Sequence, residues 1–306
     1  MNAVISVSQV KKGFRGCDAL RGVNLEVPPG VVFALLGENG AGKTTLIRIL
    51  TGFLEADSGE AQILGMDCRA QSLEIRRRIG YVSDAPALYD WMTPERIGWF
   101  TASFYPPGFQ ARYEQLLRQF EVPAGRKIRH MSKGQRAKVA LALAVAHEPD
   151  LLILDEPTSG LDPLVRRQFL ESMVDRAATG RTVLLSSHQI DEVERVADWI
   201  AIMRDGVITL VEPLQELKEA TQQVLISLTD PLVEFPMPNG RILNQTANGR
   251  QRQLVVHRLD PDSLQVLRNT SGVQNVEIRT PTLEEIFIAC TRGDSQPIPA
   301  EASTGT

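Results

Sequence analysis

The apolar run Val31–Leu36 (VVFALL) passes without a break into Gly37-Glu38-Asn39-Gly40-Ala41-Gly42-Lys43-Thr44-Thr45. Thr44–Phe53 (TTLIRILTGF) then continues at helical spacing. An uninterrupted apolar run suits a strand covered on both faces of a sheet. The eight residues Gly37 to Thr44 satisfy the pattern G-x-x-x-x-G-K-[ST] in full. Glycines let the backbone curl so that successive N–H groups converge, and the following helix adds the positive end of its dipole. Such a loop cradles phosphate oxygens. Lys43 is the point charge for β- and γ-phosphates, and the Thr44 hydroxyl is a ligand for Mg²⁺.

A second strand–turn unit narrows the chemistry. Leu151-Leu152-Ile153-Leu154-Asp155-Glu156-Pro157 is an apolar strand ending in two carboxylates. Asp155 can hold Mg²⁺ through a water, while Glu156 points past the metal toward an attacking water. Two acids at a strand end can also simply open a turn. Upstream, Met131-Ser132-Lys133-Gly134-Gln135 leads into the helix-like run Arg136–His147. A Ser hydroxyl and a Gly N–H at a helix start make another phosphate cradle, or an ordinary helix cap.

Further strands are expected at 61–64, 79–83, 183–186 and 200–203, with helices at 163–178 and 189–197. This alternation argues for an α/β core. A helical, aromatic-rich stretch occupies about 86–149. Composition shifts after Glu212. Residues 213–291 carry Pro-rich punctuation at 231–238 and a turn at Asn239-Gly240. They also hold strand-like pieces near 223–228, 252–257 and 273–278, and helices at 261–269 and 282–290, a small α+β unit. The segment 292–306 has the small, polar, Pro-containing composition of a flexible tail.

Charge and cysteine content exclude several classes. Acids outnumber bases 37 to 33, giving a net charge of −4, so no nucleic-acid partner is expected. Cys17, Cys68 and Cys290 are widely spaced and read as reduced thiols with no metal-ligand pair. The N-terminal residues lack the charge order of a secretory signal. Apolar runs such as Val139–Ala146 fall far short of the ~20 residues that span a bilayer.

Across about residues 3–212 these motifs, in this order, resemble the ATP-binding subunit of ABC transporters. MSKGQ resembles the family's LSGGQ signature, Ser159-Gly160-Leu161-Asp162 its D-loop, and Ser187-His188 its switch histidine. Phe14 stands where an aromatic stacks on adenine. The resemblance implies a P-loop ATPase core (1–212) with a mixed sheet, an inserted helical subdomain (86–149) and an accessory C-terminal domain (213–291). It also implies ATP and Mg²⁺ as ligands, and two copies that sandwich two ATPs head to tail. Ser132, Lys133, Gly134 and Gln135 of one copy would then face the γ-phosphate held by Lys43 of the other. Glu156 would polarise the attacking water, His188 would hold it in register with the γ-phosphate, and Asp162 would couple the two sites. The implied partner is a separately encoded polytopic permease, with this chain peripheral on the cytoplasmic face of the cell membrane. Thr280–Phe287 (TPTLEEIF) resembles the ending of exporter-type subunits.

Two positions depart from the family pattern. Asp84 stands where Gln usually ligates Mg²⁺ and senses the permease; a carboxylate can contact the metal or its water but cannot donate a hydrogen bond. Lys133 replaces the signature's first Gly and either adds charge near the opposite phosphate or faces solvent. Tyr89, Trp91, Trp99, Phe100, Phe104 and Tyr105 either pack a local core or line the groove that receives a permease helix. The competing readings are a soluble ATPase remodelling ribosomes or nucleic acid, and a regulatory ATP switch.

Overall fold

The computed structural model describes residues 3–292. β1 (Ile5–Phe14) and β2 (Cys17–Val27) form an antiparallel hairpin around Arg15-Gly16, with Gly16 at φ 81°. β3 (Val32–Leu36) leads through the glycine-rich loop into α1 (Lys43–Leu50). Then come β4 (Ser58–Ile63), β5 (Met66–Asp67), α2 (Ser72–Arg78) and β6 (Ile79–Val82). The helical segment holds α3 (Pro94–Ala102), α4 (Phe109–Gln119) and α5 (Lys133–Val145), with a 3₁₀ turn at Ile128–His130. β7 (Leu151–Asp155), α6 (Pro163–Ala178), β8 (Thr182–Ser187), α7 (Ile190–Val196), β9 (Trp199–Arg204) and β10 (Val207–Pro213) follow.

The central sheet has the order β10-β9-β3-β8-β7-β6, parallel except for β10. Its two faces explain the unbroken run in β3. Phe33 and Leu35 join α1's Leu46, Ile47 and Leu50 in a core closed by the antiparallel sheet β2-β1-β4-β5. Val32, Ala34 and Leu36 face the opposite core, with Leu141 and Val145 of α5 and Phe169 and Met173 of α6. Every β3 side chain is buried, so no polar residue fits there. Parallel order also brings the C-terminal ends of β3, β8, β7 and β6 to one edge. In open α/β sheets that edge is where ligands bind.

The helical segment packs a core of its own around Tyr113, Phe109, Leu117 and Ile128. Gly98 permits the close approach of α3 to α4, since a Cβ there would sit 2.1 Å from the Tyr113 ring. The buried phenol donates to Pro94 O at 3.0 Å.

α8 (Leu214–Ala220) connects to β11 (Thr221–Leu228), β12 (Arg241–Asn248), β13 (Gln251–His257), α9 (Pro261–Arg268), β14 (Val273–Arg279) and α10 (Leu283–Arg292). These strands make an antiparallel sheet ordered β12-β13-β11-β14, with α9 against one face. α10 turns back. Its Leu283, Ile286, Phe287 and Cys290 lie in the same core as Val193 of α7 and Ile200 and Ile202 of β9.

Some elements differ from the sequence reading. β5, β10, β12 and α8 are not expected from the sequence. β12 is an edge strand whose Gln245–Asn248 are exposed, so it lacks the apolar alternation that marks a half-buried strand. Arg292 closes α10, and the rest of the expected tail, 293–306, lies outside the described residues. Among the described residues no helix is long and apolar enough to cross a membrane.

Candidate functional site

The glycine-rich loop is shaped by two close backbone approaches. A Cβ at Gly37 would stand 2.6 Å from Met203 O. At Gly42, whose φ is 108°, it would stand 2.6 Å from Ala19 O. Neither position admits a side chain. Gly206 N–H buttresses the loop by donating to Ala41 O at 3.0 Å. Glu38, Asn39 and Gly40 line its exposed rim, while Ala41 is buried beneath. Gly42 caps α1, so the free N–H groups of the first helical turn, at Lys43, Thr44 and Thr45, head the loop's anion cradle.

Lys43 is buried inside this loop. Its ammonium donates to Gly37 O at 2.6 Å and Glu38 O at 3.2 Å. It also lies 3.2 Å from Glu156 Oε1, the two side chains being 6% and 14% exposed. Asp155, at the end of β7, accepts from Ser186 Oγ at 2.7 Å and Thr44 Oγ1 at 3.2 Å. Burial first, and then the Asp155 carboxylate, push the Tyr81 phenol above its usual range.

Glu156 leaves the strand with φ 50°, a left-handed conformation costly for a residue with a Cβ. The turn is held by its N–H, which donates to Ser186 O at 3.2 Å and Ser186 Oγ at 3.1 Å. It aims one carboxylate oxygen at Lys43 and the other at His188 Nδ1, 2.8 Å away. Lys43, Thr44, Asp155, Glu156 and His188 therefore converge at the C-terminal sheet edge. The oxygen pair of Thr44 and Asp155 is the hard-donor set that suits Mg²⁺, which keeps several of its waters, so the residues present fit that ion.

Phe14 stands on the tip of the β1–β2 hairpin, 51% exposed, with Lys12 Nζ 5.8 Å from its ring centroid. Asp57 pins this tip through Lys12 at 2.6 Å and Gly13 N at 2.7 Å. The ring presents a free flat face.

The signature residues occupy a different place, the N-terminus of α5. Ser132 and Gln135 form a reciprocal capping box: Ser132 Oγ accepts from Gln135 N, and Gln135 Oε1 from Ser132 N, both at 3.2 Å. The cap reading is thus realised, and Ser132 stays exposed. Gly134 packs on the start of α6, whose cap is Asp162, accepting from Val165 N at 3.1 Å. Lys133 is exposed and lies across Gly160. The two departures meet. Asp84 and Lys133 line one cavity of about 260 Å³ with Arg136, Pro157 and Leu161.

Of the six aromatics, Tyr89, Trp91, Trp99, Phe100 and Phe104 are exposed. They do not pack a core; only Tyr105 does, stacking on Phe109 and His147. Tyr89 instead touches Trp91 and Phe100, and Phe100 touches Phe104, an apolar surface ridge. Thr280–Phe287 proves to be the start of α10. Thr282 and Glu285 cap it reciprocally, and the Thr282 N–H, followed by Arg279, holds the Glu285 carboxyl below its usual range.

The sequence reading missed Ser186, Thr158, Glu192 and Arg166. A serine inside the buried strand VLLSS was the signal available for Ser186. The other three look like ordinary surface or turn residues until folded.

A glycine loop, a strand-end acid pair and a histidine bound to the second acid, on one parallel sheet edge, define an ATP-hydrolysing P-loop protein. The family model described as ABC transporter matches residues 20–159. The chain is 31% identical over 289 residues to the ABC transporter ATP-binding protein YtrB of Bacillus subtilis, covering 94% of this chain and 97% of that protein. It is 30% identical to the daunorubicin resistance ATP-binding protein DrrA3 of Streptomyces coeruleorubidus, covering 96% and 97%. A dimeric structure of MJ0796, a bacterial ABC transporter cassette, superposes with a TM-score of 0.63 at 25% identity, covering 69% of this chain and 98% of that one. The chain belongs to the ATP-binding subunits of ABC transporters, ATPases that couple hydrolysis to transport.

Proposed function

We propose that this chain hydrolyses Mg–ATP between two of its own copies and powers export through a separately encoded permease. The observation that carries the hydrolytic reading is the contact chain Lys43–Glu156–His188, with Glu156 held in a strained turn between the other two. Gly37 to Thr45 bind the phosphates through backbone N–H groups and the Lys43 ammonium. Phe14 stacks on the adenine. Thr44 and, through a water, Asp155 would hold Mg²⁺, which would supply charge neutralisation to the phosphates. Asp84 would contact that ion or one of its waters.

Glu156 takes a proton from the attacking water as its oxygen bonds to the γ-phosphorus; the bond to the β-phosphate oxygen breaks and ADP leaves. A positioned base of this kind contributes ~10²–10⁴-fold. His188 fixes the Glu156 carboxylate and contacts the γ-phosphate. Lys43 must exchange its carbonyl and carboxylate partners for phosphate oxygens.

Ser132, Lys133, Gly134 and Gln135 complete the partner copy's site, and Asp162 links the two. Ser132 is exposed on a helix N-terminus that attracts anions, which supports this reading. Residues 1–212 are the ATPase domain and 213–291 the accessory domain. The exposed aromatic ridge from Tyr89 to Phe104 receives the permease on the cytoplasmic membrane face, since an apolar surface of this kind marks an interaction site. Export follows from the likeness to DrrA3, a drug-resistance protein by name.

Steady-state phosphate release, with and without copurified membranes, tests the assignment. Mg-dependent turnover altered by a multi-span protein that copurifies is expected. Turnover responding to ribosomes or RNA and not to membranes would overturn it.

A further inference from the structure

Glu192 lies in α7, four residues beyond His188, and is only 5% exposed. A carboxylate is seldom buried unless paired, and this one is held from two directions. Thr158, itself buried and two residues beyond Glu156, donates its hydroxyl to Glu192 Oε2 at 2.5 Å. Arg166 of α6 brings Nε to 2.9 Å from Oε1, a charge contact without hydrogen-bond alignment. The same guanidinium donates through Nη2 to Leu161 O at 3.3 Å.

These contacts close a ring. Glu156 touches His188 directly at 2.8 Å. The two loops leaving those residues are tied again at Thr158 and Glu192. A second branch runs through Arg166 to the carbonyl of Leu161, inside the Ser159–Asp162 segment. One buried carboxylate thus joins the loop after the base, the helix after the histidine, and the segment that precedes the Asp162 cap.

We propose that Glu192 is a positioning residue for hydrolysis, holding the Glu156–His188 pair in register and tying it to the Ser159–Asp162 segment. This rests on the reading of Glu156 and His188 as the hydrolytic pair. Thr158 and Arg166 are its two arms. Without Glu192 both strand-end loops keep their backbones, but the Glu156 carboxylate loses the constraint that fixes its angle to the water. Misplacement of a reacting group by about 1 Å can cost on the order of a hundredfold in rate.

The test compares Glu192→Ala, Thr158→Val and their combination by kcat, nucleotide Kd and Tm. Glu192→Ala should lower kcat by about ten- to a hundredfold while nucleotide Kd moves less than about threefold. The combined variant should be no slower than the worse single one, because both remove the same tie. Thr158→Ser, which keeps the hydroxyl, should retain turnover, and Arg166→Gln should reduce cooperativity toward ATP. Normal kcat in Glu192→Ala and Thr158→Val would overturn the proposal, as would kcat, Kd and Tm falling together. If Glu192→Ala does not fold, Thr158→Val against Thr158→Ser decides alone. Glu156→Gln is the separate control: if it still turns over, the base assignment fails and not merely the positioning role.

Discussion

Replacing Glu156 by Gln should separate two effects that the wild-type residue combines. Glu156 is placed to act as the base, and its Oε1 also holds Lys43 at 3.2 Å in a site where both side chains are largely buried. Two unit charges at 3.2 Å attract by about 5 kcal/mol at an effective dielectric of about 20. Most of this is offset, because Lys43 keeps the Gly37 carbonyl at 2.6 Å and both ions pay desolvation. We expect a net release of about 1.4 kcal/mol, hence about tenfold tighter nucleotide binding in the variant. Removing the carboxylate's repulsion of the γ-phosphate acts in the same direction. Turnover should fall by ~10²–10⁴, or about 3–5 kcal/mol of barrier. Titration calorimetry with Mg–ATP, phosphate release and gel filtration would measure affinity, rate and dimer content on one preparation. The affinity gain should change little with salt, since buried pairs are poorly screened. Affinity unchanged within about twofold would show that Lys43 is not restrained by Glu156, and turnover within about threefold of wild type would remove the base role.

Gly42→Ala places a Cβ 2.6 Å from Ala19 O at φ 108°, so it should lower the thermal midpoint and abolish Mg–nucleotide binding. Burial pushes the Cys68 and Cys290 thiols up to about 12, so an alkylating reagent should label only Cys17 in the native chain. Because Cys17 pairs with Phe14 across the hairpin, Mg–ATP should slow that labelling, read by mass spectrometry. Burial, followed by the Arg176 and Arg181 charges, lowers the His147 pKa from 6.5 despite the bond to Ile79 O. The unfolded chain then binds the extra proton first, so the contribution is complete above pH 6.5 and declines below it. His147→Phe should flatten urea stability between about pH 7 and 5 relative to wild type.

Much of the site was legible because its chemistry depends on residue types at fixed spacing along single strands. The glycines from Gly37 to Gly42, and Asp155 with Glu156 at the end of LLIL, each announce a function in a few residues. What stayed hidden depends on contacts between distant segments. Glu192 reads as one more acid in DEVER until Thr158 and Arg166 close on it. Asp84 and Lys133 looked like separate departures from the family pattern, yet they face one cavity. The aromatic cluster was ambiguous because side-chain size does not reveal which way a helix turns; the fold leaves five of the six rings exposed. The apolar stripe of α10 was visible, but periodicity cannot say which body it covers.

The return of α10 has a consequence for anyone cutting this chain. Leu283, Ile286, Phe287 and Cys290 fill space beside Ile200, Ile202 and Val193, so the last helix supplies part of the lining that the central sheet needs. Glu212 is likewise fastened to His257 at 3.0 Å and Arg258 at 3.2 Å from the far side of the junction. An ATPase fragment trimmed at 212 would bare greasy strands and strand a carboxylate without its His257 and Arg258 partners. The accessory segment and the ATPase body share one interior.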